Sequence, residues 1–196
     1  AVTFTNQAAS EMRERLSREL ERGQIRTLSI GTFHSICLAL LKKWKLSRPV
    51  LEENEALLLA QEIISSFPLR FSANGLLRRI SGIKNQSLPA SELPEGVLAA
   101  YDRLLESYGV MDYDDILLKT IAQLESGKKE RSLGGFTHLL VDEFQDINPL
   151  QYRLIQLWRR DHGSLFCIGD ANQSIYGFRG ASAECFSRLA SDYPEC

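Results

Sequence analysis

The sequence predicts an α/β protein, a parallel sheet flanked by helices and interrupted by an all-helical insertion. Three observations lead there. Short β-rich runs alternate with longer amphipathic patterns at both ends of the chain, while the middle shows helical periods and no convincing strand. Two of the β-rich runs end in clusters of polar residues, as expected at the carboxyl edge of a parallel sheet, where α/β folds bind ligands.

Ala1 to Phe4 reads as the first strand. After it Ala8, Met12, Leu16 and Leu20 recur every four residues among Glu and Arg, which predicts an amphipathic helix up to Gly23. Arg26 to Ile30 is the second predicted strand. From about Lys45 to Tyr108 the periods are helical: Ala56 to Ile64, Leu76 to Ile83, and Val97, Leu98, Tyr101, Leu104, Leu105 and Tyr108. Breaks at Phe67-Pro68, at Gly82 and from Leu88 to Gly96 separate these helices. Phe136 to Val141 is the third strand. Asn148-Pro149 then pairs a capping residue with a proline where the first helical N–H is unused, and Leu150, Leu154, Leu157 and Trp158 mark a buried face. Ser164 to Ile168 is the fourth strand. The expected division is a core of residues 1–44 and 109–196 with a helical lobe at 45–108.

The 196 residues are 44% hydrophobic and 24% charged, an ordinary balance for a globular protein. A formal net charge of -2 excludes attachment to nucleic acid by bulk basicity, so any such binding rests on a local strip or on stacking. Cys37, Cys167, Cys185 and Cys196 form no CxxC pair and lie at no metal-ligand spacing from the histidines, which predicts reduced thiols and a cytoplasmic location. No apolar run approaches the roughly 18 residues of a membrane span, so no membrane partner is expected.

Four segments carry chemistry. In His138-Leu-Leu-Val-Asp-Glu-Phe-Gln-Asp146 an apolar strand ends in two adjacent carboxylates, Asp142 and Glu143: one can hold Mg²⁺, usually through water, and its neighbour can accept a proton from an attacking water. The competing reading is a solvated acidic turn. The fourth strand ends in Gly169-Asp-Ala-Asn-Gln-Ser-Ile-Tyr-Gly-Phe-Arg-Gly-Ala181, where glycines permit a tight loop and Gln173 can hydrogen-bond a phosphate. Tyr176 and Phe178 are rings in a polar loop, suited to stacking on bases or, alternatively, to packing inward. In Thr3-Phe-Thr-Asn-Gln-Ala-Ala9 and Gly31-Thr-Phe-His-Ser35 a strand runs into a helix N-terminus through small hydroxyl or amide residues, an arrangement for capping and equally for facing an anion. Lys42-Lys-Trp-Lys-Leu-Ser-Arg48 adds a basic cluster, read as a solvated helix end or a duplex contact.

In this order the four segments resemble the motifs of the UvrD/Rep/PcrA superfamily I DNA helicases: TFTNQAASEM is similar to motif Ia, GTFHS to motif Ib, LLVDEFQD to motif II and GDANQSIYGFRGA to motif III. Met111 to Leu117, MDYDDIL, resembles the MDFDDLL element that closes the helical insertion 1B within motor domain 1A. The resemblance covers essentially the whole chain. It implies a partial RecA-like P-loop NTPase domain, with ATP and Mg²⁺ as cofactors of the parent protein. Asp142 would bind the metal, Glu143 would activate the hydrolytic water, and Gln173 would contact the γ-phosphate. Phe4, Tyr176 and Phe178 would stack on single-stranded bases, and Thr5, Asn6, Thr32, His34 and Ser35 would contact the DNA backbone. The implied partners are single-stranded DNA, duplex junctions and a second motor domain of the parent chain, at work in DNA repair, replication or recombination.

The chain departs from the family at Gln7, where motif Ia usually has lysine, and at Ala171-Asn172, where motif III is usually more acidic. No GxxxxGK[ST] sequence occurs. The chain is therefore expected to be a piece of a longer helicase, inactive as an ATPase by itself. A stand-alone DNA-binding or regulatory module, and part of a RecB/AddA-like helicase-nuclease, are the other readings.

Overall fold

The computed structural model describes residues 1–126, 136–170 and 184–194. Four parallel strands form one sheet in the order β2-β1-β3-β4: β1 (Val2–Thr3), β2 (Gly31–Thr32), β3 (Phe136–Val141) and β4 (Arg159–Cys167). Helix α1 (Asn6–Glu19) follows β1, the single turn α2 (Arg22–Ile25) precedes β2, and α3 (Phe33–Lys43) follows it. Helices α4 (Glu53–Ser66), α5 (Ala73–Lys84) and α6 (Val97–Tyr108) make the middle of the chain, with a 3₁₀ turn at Ala90–Glu92. The chain returns through α7 (Tyr113–Glu125), and α8 (Pro149–Trp158) joins β3 to β4. Helix α9 (Glu184–Asp192) lies beyond β4.

The second strand lies later than its sequence suggests. Arg26 to Leu28 are occupied by the turn that ends α2, where Thr27 N–H donates to the Gln24 carbonyl and Leu28 N–H to that of Ile25; the ladder forms only at Gly31 and Thr32. The first helix also stops at Glu19 rather than continuing to Gly23. Its predicted stripe is only half-buried at Met12 and Leu16, because these residues line an open cleft of about 890 Å³ instead of a closed core. Leu140, which lines that cleft, is 47% exposed, and beside it on the sheet Phe166 is 59% and Ile168 55% exposed.

The opposite face carries the main core. Phe33, Cys37 and Leu41 of α3, Leu117 and Ile121 of α7, and Leu154, Ile155 and Trp158 of α8 pack on Leu139 and Val141. The Phe33 and Trp158 rings stack at 5.7 Å, and the Phe136 edge meets Trp158 at 5.9 Å. Asn148 caps α8 by accepting from the Gln151 N–H at 2.9 Å, and Pro149 occupies the first turn. Trp44 belongs to this core, whereas Lys42 and Lys43 are exposed in the last turn of α3, where the helix dipole favours cations.

Helices α4, α5 and α6 surround a second cluster of their own, built on Leu59, Ile63, Leu76, Ile80, Val97, Tyr101 and Leu105. No strand is found between residues 51 and 110 among the described residues. Gly82 does not break α5 but lies inside it, since Leu88 folds back so closely that a Cβ at 82 would sit 2.5 Å from its Cδ1. The lobe is closed at its neck by two backbone bonds, Met111 N–H to the Pro49 carbonyl (3.0 Å) and Leu51 N–H to the Met111 carbonyl (2.9 Å).

A buried charge cluster holds lobe and core together. Lys84, whose side chain is 4% exposed at the end of α5, reaches Asp112 at 2.8 Å, Asp115 at 2.9 Å and Asp102 at 3.1 Å. Burial, the largest influence on its pKa, pulls it down, but the three carboxylates outweigh that and hold the ammonium above its ordinary range. Beside it, Asn85 donates to Asp114 at 2.6 Å and accepts from Asn148 at 3.0 Å. Removing one partner of such a cluster leaves buried charge uncompensated. Lys84→Met is therefore expected to cost about 3–5 kcal/mol of stability, read as a lowered urea midpoint of the 196-residue chain. An unchanged midpoint would contradict the clamp.

Candidate functional site

Because all four strands run the same way, their carboxyl ends share one edge, and each of the four chemistry-bearing segments begins there. Val2 pairs with both Gly31 and Val141, which sets Thr3 beside Thr32 on one side and beside Asp142 on the other. Asp142 N–H donates to the Val2 carbonyl at 2.9 Å, and the Thr3 hydroxyl lies 3.4 Å from Asp142 Oδ2. Asp142 is half-buried and Glu143 exposed, so both carboxylates face the open edge.

Glu143 adopts a left-handed backbone, φ 52° and ψ 45°, unusual for a residue with a Cβ. This residue takes the chain off the strand into a 3₁₀ turn, Phe144–Asp146. Three bonds hold it. Asp146 N–H donates to the Glu143 carbonyl at 3.0 Å, Phe144 N–H donates to the Ile168 carbonyl at 2.8 Å, and Gln145 Nε2 donates to Glu143 Oε2 at 2.6 Å. Gln145 Oε1 in turn accepts the Asp170 N–H at 3.0 Å. Gly169 has a steric reason to be glycine, because a Cβ there would lie 2.5 Å from Gln145 Oε1 and 2.9 Å from the Phe144 nitrogen. Gln173, Tyr176 and Phe178 lie outside the described residues.

Among the described residues no group of three or more His, Cys, Asp or Glu is arranged to hold a metal ion. That donor set still fits Mg²⁺, which keeps several waters and accepts as few as one or two carboxylates together with substrate phosphates. Asp142, with Thr3 beside it, is a carboxylate at this edge that could serve as such a ligand.

The two strand-to-helix segments sit next along the same edge. Thr5 caps α1 through its hydroxyl, which accepts the Ala8 N–H at 3.0 Å, and Thr32 caps α3 by accepting the Ser35 N–H at 3.2 Å. Thr5, Asn6 and Ser35 are exposed, and Thr32 is buried. Capping thus occupies both threonine hydroxyls, with Thr5, Asn6 and Ser35 still facing solvent. Phe4 is half-buried, its ring edge-on to Phe33 at 6.5 Å. His34 stacks on Tyr113 at 3.8 Å and 15°, and its Nε2 is buried without a hydrogen-bond partner among the described residues. Tyr113 itself is 58% exposed.

Sequence reasoning missed two residues here. Gln145 gave a signal only as one more polar residue beside the paired carboxylates, and Tyr113 only as the aromatic member of MDYDDIL. The α3–α7 packing brings Tyr113 to the motif Ib segment.

The model of the UvrD/REP helicase N-terminal domain matches residues 1–194. The chain belongs to the UvrD/REP helicase family. It is 31% identical to the ATP-dependent DNA helicase Rep of Buchnera aphidicola subsp. Baizongia pistaciae, over 99% of this chain and 32% of that protein. It is 32% identical to the ATP-dependent DNA helicase PcrA of Staphylococcus aureus strain Mu50, over 100% of this chain and 30% of that protein. With Escherichia coli K12 Rep the identity is 31%, over 99% and 32%. The chain thus spans about a third of the length of these relatives.

Burial pulls the His34 imidazole down to about 4, so this family member holds the motif Ib histidine neutral at pH 7. In the unfolded chain the same ring protonates near 6.5. Between those values the unfolded state binds the extra proton, so stability is full above the window and falls as the pH drops through it. His34→Asn is expected to flatten the decline of the urea midpoint between about pH 6.5 and 4. Identical pH profiles for the two proteins would contradict the buried, neutral ring.

Proposed function

We propose that the chain is a part of an ATP-dependent helicase that moves along single-stranded DNA in repair, replication or recombination; it supplies the hydrolytic carboxylates and a grip on the strand, and is inactive as an ATPase by itself. The observation that carries the proposal is the shared carboxyl edge, where Asp142 and Glu143 stand in line with the openings of α1 and α3. Residues 1–44 and 109–196 are read as motor domain 1A and residues 45–108 as insertion 1B, a division supported by the two separate hydrophobic clusters. The remainder of the parent supplies the second motor domain, and the uncovered sheet face at Leu140, Phe166 and Ile168 supports the view that more protein packs here.

Asp142 would hold Mg²⁺ through water, and the ion when bound would supply charge neutralisation at the phosphates. Glu143 takes a proton from the attacking water as its oxygen bonds to the γ-phosphorus; the bond to the bridging oxygen breaks, leaving ADP and phosphate. By the resemblance, Gln173 would contact the γ-phosphate and Tyr176 and Phe178 would stack on bases. Thr5, Asn6, His34 and Ser35 line the path of the DNA backbone, with Thr32 shaping it from beneath as a cap. The half-exposed Phe4 ring and the exposed Tyr113 ring, backed by His34, offer stacking faces on the same edge. Stacking on an aromatic ring contributes about 1–3 kcal/mol per base.

Tyr113→Ala and Phe4→Ala in the parent protein are each expected to weaken binding of a labelled single-stranded oligonucleotide about tenfold by fluorescence anisotropy. For the 196-residue chain alone, whose net charge is -2, the affinity should depend only shallowly on salt, since stacking supplies most of it. Unchanged binding in both variants would contradict this path for the strand.

A further inference from the structure

Gln145 was assigned no role by the sequence, yet it is 2% exposed and both ends of its amide are used. Its Nε2 meets the Glu143 carboxylate at 2.6 Å and its Oε1 takes the Asp170 N–H at 3.0 Å. The orientation of the amide follows from the partners, because a carboxylate oxygen only accepts and a backbone N–H only donates. Gly169 leaves the room this bridge needs. Glu143 is otherwise an exposed side chain on a left-handed residue, with nothing on its own strand to fix its direction.

We infer that Gln145 is a positioning residue that aims the Glu143 carboxylate and ties it to the backbone where the Gly169-Asp170 segment begins. The inference rests on the proposed role of Glu143 in activating water. Two chain segments far apart in sequence thereby share one hydrogen-bonded unit. A displacement of Asp170 would pass through a single amide to the side chain that takes the proton. Asp170 immediately precedes the stretch containing Gln173, Tyr176 and Phe178, so the bridge is a direct connection between the stretch assigned to γ-phosphate and bases and the hydrolytic carboxylate.

The test uses the full-length parent. Gln145→Glu keeps the size of the side chain and an acceptor for the Asp170 N–H, but sets a carboxylate against that of Glu143. The kcat stimulated by single-stranded DNA is expected to fall about ten- to a hundredfold, the scale of a misplacement near 1 Å, while KM for ATP stays within about twofold. A kcat within about twofold of wild type, or a loss carried wholly by KM, overturns the inference. Since a buried substitution can also loosen the fold, the swapped variant Glu143→Gln/Gln145→Glu is measured beside it. The swap restores a donor facing an acceptor and is expected to regain the thermal midpoint lost in Gln145→Glu, although it cannot turn over. A swap no more stable than the single variant overturns the contact itself. A wild-type parent without DNA-stimulated turnover would instead sink the role of Glu143, and the swap would still report on the bridge.

Discussion

The site depends on one two-residue strand. Val2 is paired on one side with Gly31 and on the other with Val141, so three strands meet in register at this residue. A one-residue slip would turn Thr3 away from Asp142 and send the next residues of β1 to the wrong face of the sheet. So short a strand has few ladder bonds of its own. Its position is set by burial, with Val2 1% exposed in the main core, and by bonds at its flanks, from Asp142 N–H to the Val2 carbonyl and from Gly31 N–H to the Ala1 carbonyl.

Around that register the energetics divide between the two faces of the sheet. The face under α3, α7 and α8 is closed by the stacked Phe33 and Trp158 rings and by the Phe136 edge against Trp158, while the left-handed Glu143 backbone is held by the bonds of its own turn. The other face is partly open, which leaves α1 resting on a cleft and gives its apolar stripe only half the burial its period suggests. The helical lobe brings its own core, and it meets the sheet domain through polar contacts: Lys84 with Asp112 and Asp115, and Asn85 joined to the cap of α8. Such contacts have demanding geometry, which fixes how the lobe sits more firmly than apolar packing of similar area.

Much of this was legible in the sequence because periodicity reports burial. The third strand, Phe136 to Val141, was read to the residue, and the Asn148-Pro149 start of α8 followed from capping chemistry alone. The second strand was placed too early because Arg26 to Ile30 has β-rich character, while local turn bonds at Gln24 and Ile25 claim its first residues. Gly82 read as a helix break because a missing side chain looks the same in sequence whether it ends a helix or makes room for Leu88. The site followed the same pattern: Asp142 and Glu143 stood out as paired carboxylates, whereas Gln145 and Tyr113 act through neighbours that only the folded chain supplies.

The central claim is that Glu143 acts on water at an ATP site while separate side chains on the same edge hold the strand. Its most direct test is Glu143→Gln in the full-length parent, with ATP turnover and single-stranded DNA affinity measured on the same preparation. Turnover lost by about a hundredfold or more with affinity unchanged is the predicted result. Turnover retained in the presence of DNA, or affinity lost together with turnover, would contradict it.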